Sequence, residues 1–200
     1  MFLELTEILR CPRPHDESYV ICGPVTMDGR DVVRGGIICP ICGAEYPILD
    51  RVAWFGPPAD AVNVARAPES ELTAEAALAL LDLDGPGGYV VTVGAAGRLG
   101  EALSALRPGV VVACVNPPAD AAPGAACSVL RSPLGFPIRR RSVRAVIVGA
   151  DAAMEPWLAA SVGALLPGLR VVIEDESVEP DGVFALARGA GVLVGERRTA

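Results

Sequence analysis

Residues 89–103 read Tyr89-Val-Val-Thr-Val93-Gly94-Ala-Ala-Gly97-Arg-Leu-Gly100-Glu-Ala-Leu103. A short run of mostly β-branched residues meets three glycines spaced by three, and a helical pattern follows. An apolar run of this length, bounded by turn residues, predicts a buried parallel strand. Strand, glycine turn and helix in succession can carry a backbone close to a nucleotide or cofactor. The same glycines also suit a tight strand-to-helix turn whose only purpose is packing. Both readings start an α/β sheet here.

Outward from this turn the alternation continues. Upstream, Leu72, Ala76, Ala79, Leu80 and Leu83 recur at helical spacing; Ser70 or Thr73 offers a cap, and Asp84-Gly-Pro-Gly-Gly88 stops the helix. Downstream, the pattern predicts a helix over 98–106 and strands over 110–115, 128–130 and 143–148. A helix over 154–166, a strand over 169–173, a weak helix over 182–188 and a last strand over 191–195 complete it. Strands alternating with helices predict a Rossmann-like α/β fold, a parallel sheet covered on both faces. The stretch 85–198 is short for such a unit and leaves little room for a substrate-recognition insert or a terminal antiparallel strand pair.

Composition sets the frame. Of 200 residues, 52% are apolar and 20% charged, which suffices for one ordinary domain or a small domain plus a compact one. Aromatics make up 4%, so the core must be Val, Leu, Ile and Ala. Every Lys/Arg position is Arg, and with 22 Gly and 18 Pro this points to GC-rich, bacterial coding. A net charge of −7 argues against a broad polyanion-binding surface. Arg139-Arg-Arg-Ser-Val-Arg144 is the local exception: four Arg that either meet RNA phosphate or pair with the chain's own excess acid.

No apolar run reaches the roughly 18 residues of a membrane span. The longest candidate, 145–169, is broken by Asp151, Glu155, Pro156 and Pro167. The first residues, Met1-Phe-Leu-Glu-Leu-Thr-Glu7, are acidic where a signal peptide needs positive charge. The expectation is a cytoplasmic protein with no membrane contact. In that compartment six Cys read as metal ligands or buried thiols, not disulfides.

The texture changes near residue 56. Residues 1–55 carry four of the six Cys and the one His, and 56–71 reads as a linker into a unit over 72–200. Cys11-Pro-Arg-Pro-His15 and Cys39-Pro-Ile-Cys42-Gly43 form the strongest chemical signal. Zinc takes four thiolate or imidazole ligands in a tetrahedron, and a C-x-x-C turn supplies two from one loop. The expected set is Cys11, His15, Cys39 and Cys42, a closed structural site with no open position. Cys22 is a rival for the fourth place. Buried thiols with a surface His, or a redox C-x-x-C pair, are the alternatives. Cys114 and Cys127 lie in apolar runs and read as inert buried thiols.

Two resemblances follow from these residues. Leu5-Thr-Glu-Ile-Leu-Arg-Cys-Pro12, with Ile38-Cys-Pro-Ile-Cys-Gly-Ala-Glu-Tyr-Pro-Ile48, resembles the zinc-ribbon family that activates tRNA and protein methyltransferases, over about residues 2–55. That resemblance implies a ribbon that covers hydrophobic surface on a methyltransferase. The order of elements over 72–198 resembles a class I S-adenosylmethionine methyltransferase. Gly94 to Leu103 resembles its first motif, Leu134-Gly-Phe-Pro137 the segment before its fourth strand, and Leu166-Pro-Gly-Leu-Arg-Val-Val-Ile173 its fifth-strand segment. Ala187-Arg-Gly-Ala-Gly191 resembles the helix end before its last strands.

The resemblance implies S-adenosylmethionine as a candidate cofactor over Gly94, Ala95 and Gly97, with Asn116 near its ribose. The departures are specific. Thr92 stands where the family carries an acid ahead of the turn, the turn is one residue short, and Asn116-Pro-Pro118 replaces the acid that ends the second strand. An uncharged Asn bonds a hydroxyl more weakly than a carboxylate does. Asp151 follows the fourth strand as a base, a substrate ligand or a helix cap. No catalytic residue is assigned. The expected function is a zinc-binding, non-catalytic or weakly cofactor-binding partner of another protein or of itself as a homodimer. The other reading is an active methyltransferase. An NAD-type dehydrogenase is a poor third reading, because the glycine spacing differs from G-x-G-x-x-G and the ribose acid is missing. The apolar residues Ile48, Leu49, Val52, Trp54 and Phe55 predict that the two halves dock.

Overall fold

The computed structural model describes residues 1–58, 71–83, 85–124 and 126–199. The greater part of the expected linker, with Ser70 and Asp84, lies outside them.

The first part of the chain is an antiparallel meander. A 3-10 turn over Leu3–Glu7 leads into β1 (Ile21–Asp28), β2 (Asp31–Ile38), β3 (Glu45–Leu49) and β4 (Val52–Trp54). The second part runs α1 (Ala74–Leu81), β5 (Tyr89–Val93), α2 (Gly100–Leu106), β6 (Val111–Val115) and β7 (Cys127–Arg131). Then come β8 (Ala145–Val148), α3 (Trp157–Ala164), β9 (Arg170–Ile173), β10 (Val183–Gly189) and β11 (Val192–Arg197).

Among the described residues, all eleven strands belong to one sheet, in the order β1-β2-β3-β4-β7-β6-β5-β8-β9-β11-β10. Numbered from β5, the second unit runs third, second, first, fourth, fifth, seventh, sixth. Its first five strands are parallel and β11 is antiparallel to both neighbours. The switch point, where β5 sends its neighbours off in opposite directions, is where an open α/β sheet leaves a crevice beyond its strand ends.

Three expectations are corrected. The segment 182–188 is strand β10, and it makes with β11 the terminal antiparallel pair for which the chain had looked too short. Val183-Phe-Ala-Leu-Ala187 is too brief for its period to decide; pairing along β11 does. The reversal Gly189-Ala-Gly191 is a hairpin turn with positive φ throughout, not a helix end. In α1 the buried residues are Ala74, Ala77 and Leu81, while Ala76 and Ala79 are exposed. The expected face was phased on Leu72, which precedes the helix. Thr73 caps it, its hydroxyl accepting the Ala76 N–H at 3.2 Å.

The two faces of the sheet are covered differently. Helices α1 and α2 bury one face over Val90, Val112, Cys114 and Ile147. On the other, α3 packs with Leu5, Ile8, Leu9, Ile37, Ile48 and Phe55 against Val91, Val93, Val115, Leu130, Val148 and Ile173. Among the described residues, neither the β6–β7 nor the β7–β8 connection holds a helix. The amino-terminal segment takes that place. Phe2 N–H donates to Ser128 Oγ at 2.9 Å, and Leu9 bridges Ile138. The Tyr89 hydroxyl lies 2.9 Å from both the Glu4 carbonyl and the Glu7 carboxylate. A sheet that cannot be covered by its own helices must be covered by something else, and here the first part of the chain does it. The halves dock through a continuous sheet, β4 pairing parallel to β7 through Ala53 with Leu130 and Trp54 with Arg131.

Candidate metal centre and glycine turn

Two loops at the end of the meander carry the metal-type residues. Cys39 directly follows β2, and the turn Cys39-Pro-Ile-Cys42-Gly43 reverses the chain with Gly43 at φ 67°. Cys11 and His15 approach from the loop after the first 3-10 turn. The ligand atoms of Cys11, His15, Cys39 and Cys42 all lie within 4.8 Å of one another. Among the described residues no other group of three or more His, Cys, Asp or Glu is so placed. Cys22 stands outside the set, half-buried, its thiol pushed up by burial.

The geometry fits a tetrahedral ion. Zinc-like bond lengths require sulfurs about 3.8 Å apart and a sulfur–nitrogen edge of about 3.5 Å. Cys11 Sγ and Cys42 Sγ are separated by 3.8 Å, and Cys39 Sγ and His15 Nε2 by 3.4 Å. His15 Nδ1 is 2.7 Å from the Asp16 carbonyl oxygen. A carbonyl only accepts, so Nδ1 carries the proton and the Nε2 lone pair faces the three sulfurs. Burial, the largest single influence, opposes a thiolate at Cys39, but the backbone N–H groups of Cys42 and Ile41 together with the Cys42 and Cys11 thiols outweigh it and bring that thiol down to about 6. Tyr46, whose ring packs 5.0 Å from that of Phe55, holds its hydroxyl 3.0 Å from Cys11 Sγ.

The glycine turn is a second constellation, and the chain itself fills it. Gly94, at φ 63°, opens a 3-10 turn over Gly94–Leu99. Asp151 Oδ1 accepts the Ala95 N–H at 2.8 Å, and a Cβ on Gly94 would overlap that carboxylate. Asp151 thus caps the glycine turn, not α3, which begins after Pro156. Asn116 directly follows β6 in the left-handed region at φ 48°, which Asn tolerates. Its Oδ1 accepts the Ser132 N–H at 2.7 Å and its Nδ2 donates to the Ser132 carbonyl at 3.0 Å. The turn at Asn116 lays Pro117 on Gly97, where a Cβ would overlap the proline ring.

Buried Arg131, which sequence reasoning passed over, fixes this lid. Its guanidinium donates to the Pro117 carbonyl, and to that of Pro118 at 3.0 Å. The one available signal was an arginine closing an otherwise apolar strand. Arg98 is likewise held by Glu174, its Nη1 donating to the carboxylate at 2.9 Å. On the turn as folded, Asp151 and Pro117 lie against Gly94 and Gly97, and both polar groups of Asn116 are bonded to the backbone of Ser132.

Of the arginine run, Arg139 stacks on Tyr19 at 3.7 Å and pairs with Glu17, and Arg144 donates to the Gly87 carbonyl at 2.7 Å. Trp157 packs edge-on to Phe136, and Trp54 is half-buried. No helix among the described residues is long and apolar enough to cross a membrane.

Strand order and donor set define the class: a Rossmann-like unit of methyltransferase type preceded by a metal-binding ribbon. Residues 3–50 match the model of the Trm112p-like protein family, so the ribbon is a Trm112p-like segment. No curated protein matches the chain. Among solved structures, it is similar to a chain in the complex of the Haloferax volcanii Trm112 methyltransferase activator with a putative methyltransferase. Identity there is 20%, the TM-score 0.41, and half of each chain is covered. A putative methyltransferase from Bacillus halodurans gives 16% identity and a TM-score of 0.40, with 53% of this chain and 52% of that one covered. The antibiotic-resistance methyltransferase Kmr gives 13% and 0.43, with 68% and 98% covered. The chain spans about half the length of the first two structures. These likenesses are weak, and the assignment of the fold rests on the strand order itself.

Proposed function

We propose that this chain is a fusion in which a zinc-loaded, Trm112p-like ribbon serves in cis as the structural cover of a methyltransferase-type unit that no longer uses its cofactor crevice. The product is a non-catalytic interaction or stabilising protein. One zinc ion, held by Cys11, His15, Cys39 and Cys42, would fold the two knuckles and supply no chemistry beyond that, since four protein ligands leave no open position.

The observation that carries this reading is the occupation of the glycine turn by the chain's own groups. Asp151 takes the Ala95 N–H, Pro117 lies on Gly97, and Ser132 uses both polar atoms of Asn116. The continuous sheet through β4 and β7 supports the in-cis role, because a ribbon edge already paired within its own chain is not open to a second methyltransferase. A further protein, or a second copy, would therefore dock elsewhere. Titration calorimetry of the zinc-loaded protein with S-adenosylmethionine tests the reading, and no saturable heat is the expected result. Stoichiometric binding would overturn it in favour of the second reading, an active methyltransferase. The retained strand order and the position of the turn between β5 and α2 favour that second reading, which requires residues 116–118 and Asp151 to move off the turn.

A further inference from the structure

We propose that Arg140 and Arg141, seated beside buried Arg197 at the carboxyl end of α3, form an anion site that takes the phosphate group of a ligand.

The site lies where the parallel strands begin, at the end of the sheet away from the glycine turn. Residues 139–144 lead into β8, and α3 ends at Ala164 against them. Arg197 closes β11, whose preceding residue Glu196 pairs with Arg170 at the start of β9. Three arginines meet there around Gly163. Arg197 Nη1 donates to the Gly163 carbonyl at 2.8 Å and to that of Leu165. The Arg141 backbone N–H donates to the same Gly163 carbonyl at 3.0 Å. A Cβ on Gly163 would lie 3.9 Å from Cζ and Nη1 of Arg140. Arg197 has a structural task, since it ties down the last carbonyls of α3. The side chains of Arg140, half-buried, and Arg141, exposed, have none: among the described residues neither guanidinium has a hydrogen bond or a carboxylate partner.

Charge placement sets these two apart. The chain has 24 acidic residues against 17 arginines, yet brings none to this pair. Of the same run, Arg139 pairs with Glu17 and Arg144 rests on the Gly87 carbonyl. Glu17 accepts the Arg140 backbone N–H at 3.0 Å, but its carboxylate already lies between Arg139 and Arg10. Burial draws the Arg197 guanidinium down, and the charges of Arg141 and Arg140 draw it down further. Like charges gathered without a carboxylate repel one another, and an anion relieves them. A carboxylate answers one guanidinium fork, whereas a phosphate group has oxygens for two and carries more charge. The net charge of −7 and the matched charges of Arg10 and Arg139 limit the site to a single phosphate group, not a long polyanion track.

The test is a titration of the full-length, zinc-loaded protein with inorganic phosphate, the ionic strength held constant with chloride, followed by heteronuclear NMR of the arginine side chains. The expected result is saturable shifts at Arg140 and Arg141 and none at Arg34, an exposed arginine of β2. Arg140→Gln combined with Arg141→Gln should weaken binding about tenfold or more. The paired Lys variants, which keep the charge and lose the forks, should weaken it less. A second readout needs no variant: phosphate should protect Arg140 and Arg141 from phenylglyoxal, read by peptide mass spectrometry. A short single-stranded RNA added to the phosphate-loaded protein identifies the source. Displacement of phosphate from these arginines assigns the group to a nucleic-acid backbone, and failure to displace it assigns the group to a small phosphorylated ligand; the site stands in both cases. Shifts that do not saturate, equal shifts at Arg34, or unchanged reaction with phenylglyoxal would each overturn the proposal.

Discussion

His15 donates from Nδ1 to the carbonyl of the next residue, and this bond decides what its other nitrogen can do. With the tautomer fixed, Nε2 is committed to the cluster, where it faces Cys39 Sγ at 3.4 Å. If the four residues hold zinc as proposed, metal analysis of protein prepared without chelator should find one zinc per chain. His15→Ala and Cys39→Ser should lower that occupancy and Cys22→Ser should leave it unchanged. Zinc lost in Cys22→Ser but kept in His15→Ala would transfer the fourth place to Cys22.

Tyr89 is a second residue whose neighbours set its chemistry. Burial, and then the Glu7 carboxylate, push its hydroxyl up to about 12. The folded state therefore favours the neutral phenol. Its contribution to stability is complete below pH 10, the usual tyrosine value, and is lost as the pH rises from 10 to 12. Urea midpoints of wild type and Tyr89→Phe should differ most below pH 10 and converge toward pH 12. A constant difference across that range would mean that the contact to the amino-terminal segment carries no linkage.

At the scale of elements, β4 is three residues long and joins the two halves. Its own pairing with β7 is brief, so the adjacent side chains must hold it. Phe55 follows it, is fully buried, and packs against Tyr46 in the layer shared by both halves. Phe55→Ala should cost about 3–5 kcal/mol. Hydrogen exchange should then accelerate in β7 and β6 as well as in the ribbon. Exchange confined to residues 1–55 would mean that the halves are energetically independent. Trp54, the other aromatic the sequence offered for this role, is half-buried and carries less of the contact.

For the whole molecule, the parallel strands and the Cys/His cluster were legible in the sequence, and both for local reasons. Val110-Val-Val-Ala-Cys-Val115 and its fellow runs are apolar on both faces, as strands buried on both sides must be. C-x-x-C with Pro and Gly is a turn and a chelate at once. What tertiary structure alone decided is non-local. A seven-residue run such as β10 fits helix or strand until β11 lies beside it. Asn116 was a candidate ribose ligand by its place in the chain, yet its partner is the backbone of Ser132, sixteen residues on. Asp151 reaches a turn more than fifty residues back. On the face α3 shares, part of the cover of the sheet comes from the first ten residues, whose apolar side chains give no sign of which surface they meet. Local pattern fixes an element because its determinants lie within a few bonds; which groups then occupy a crevice depends on contacts that exist only once the chain has closed on itself.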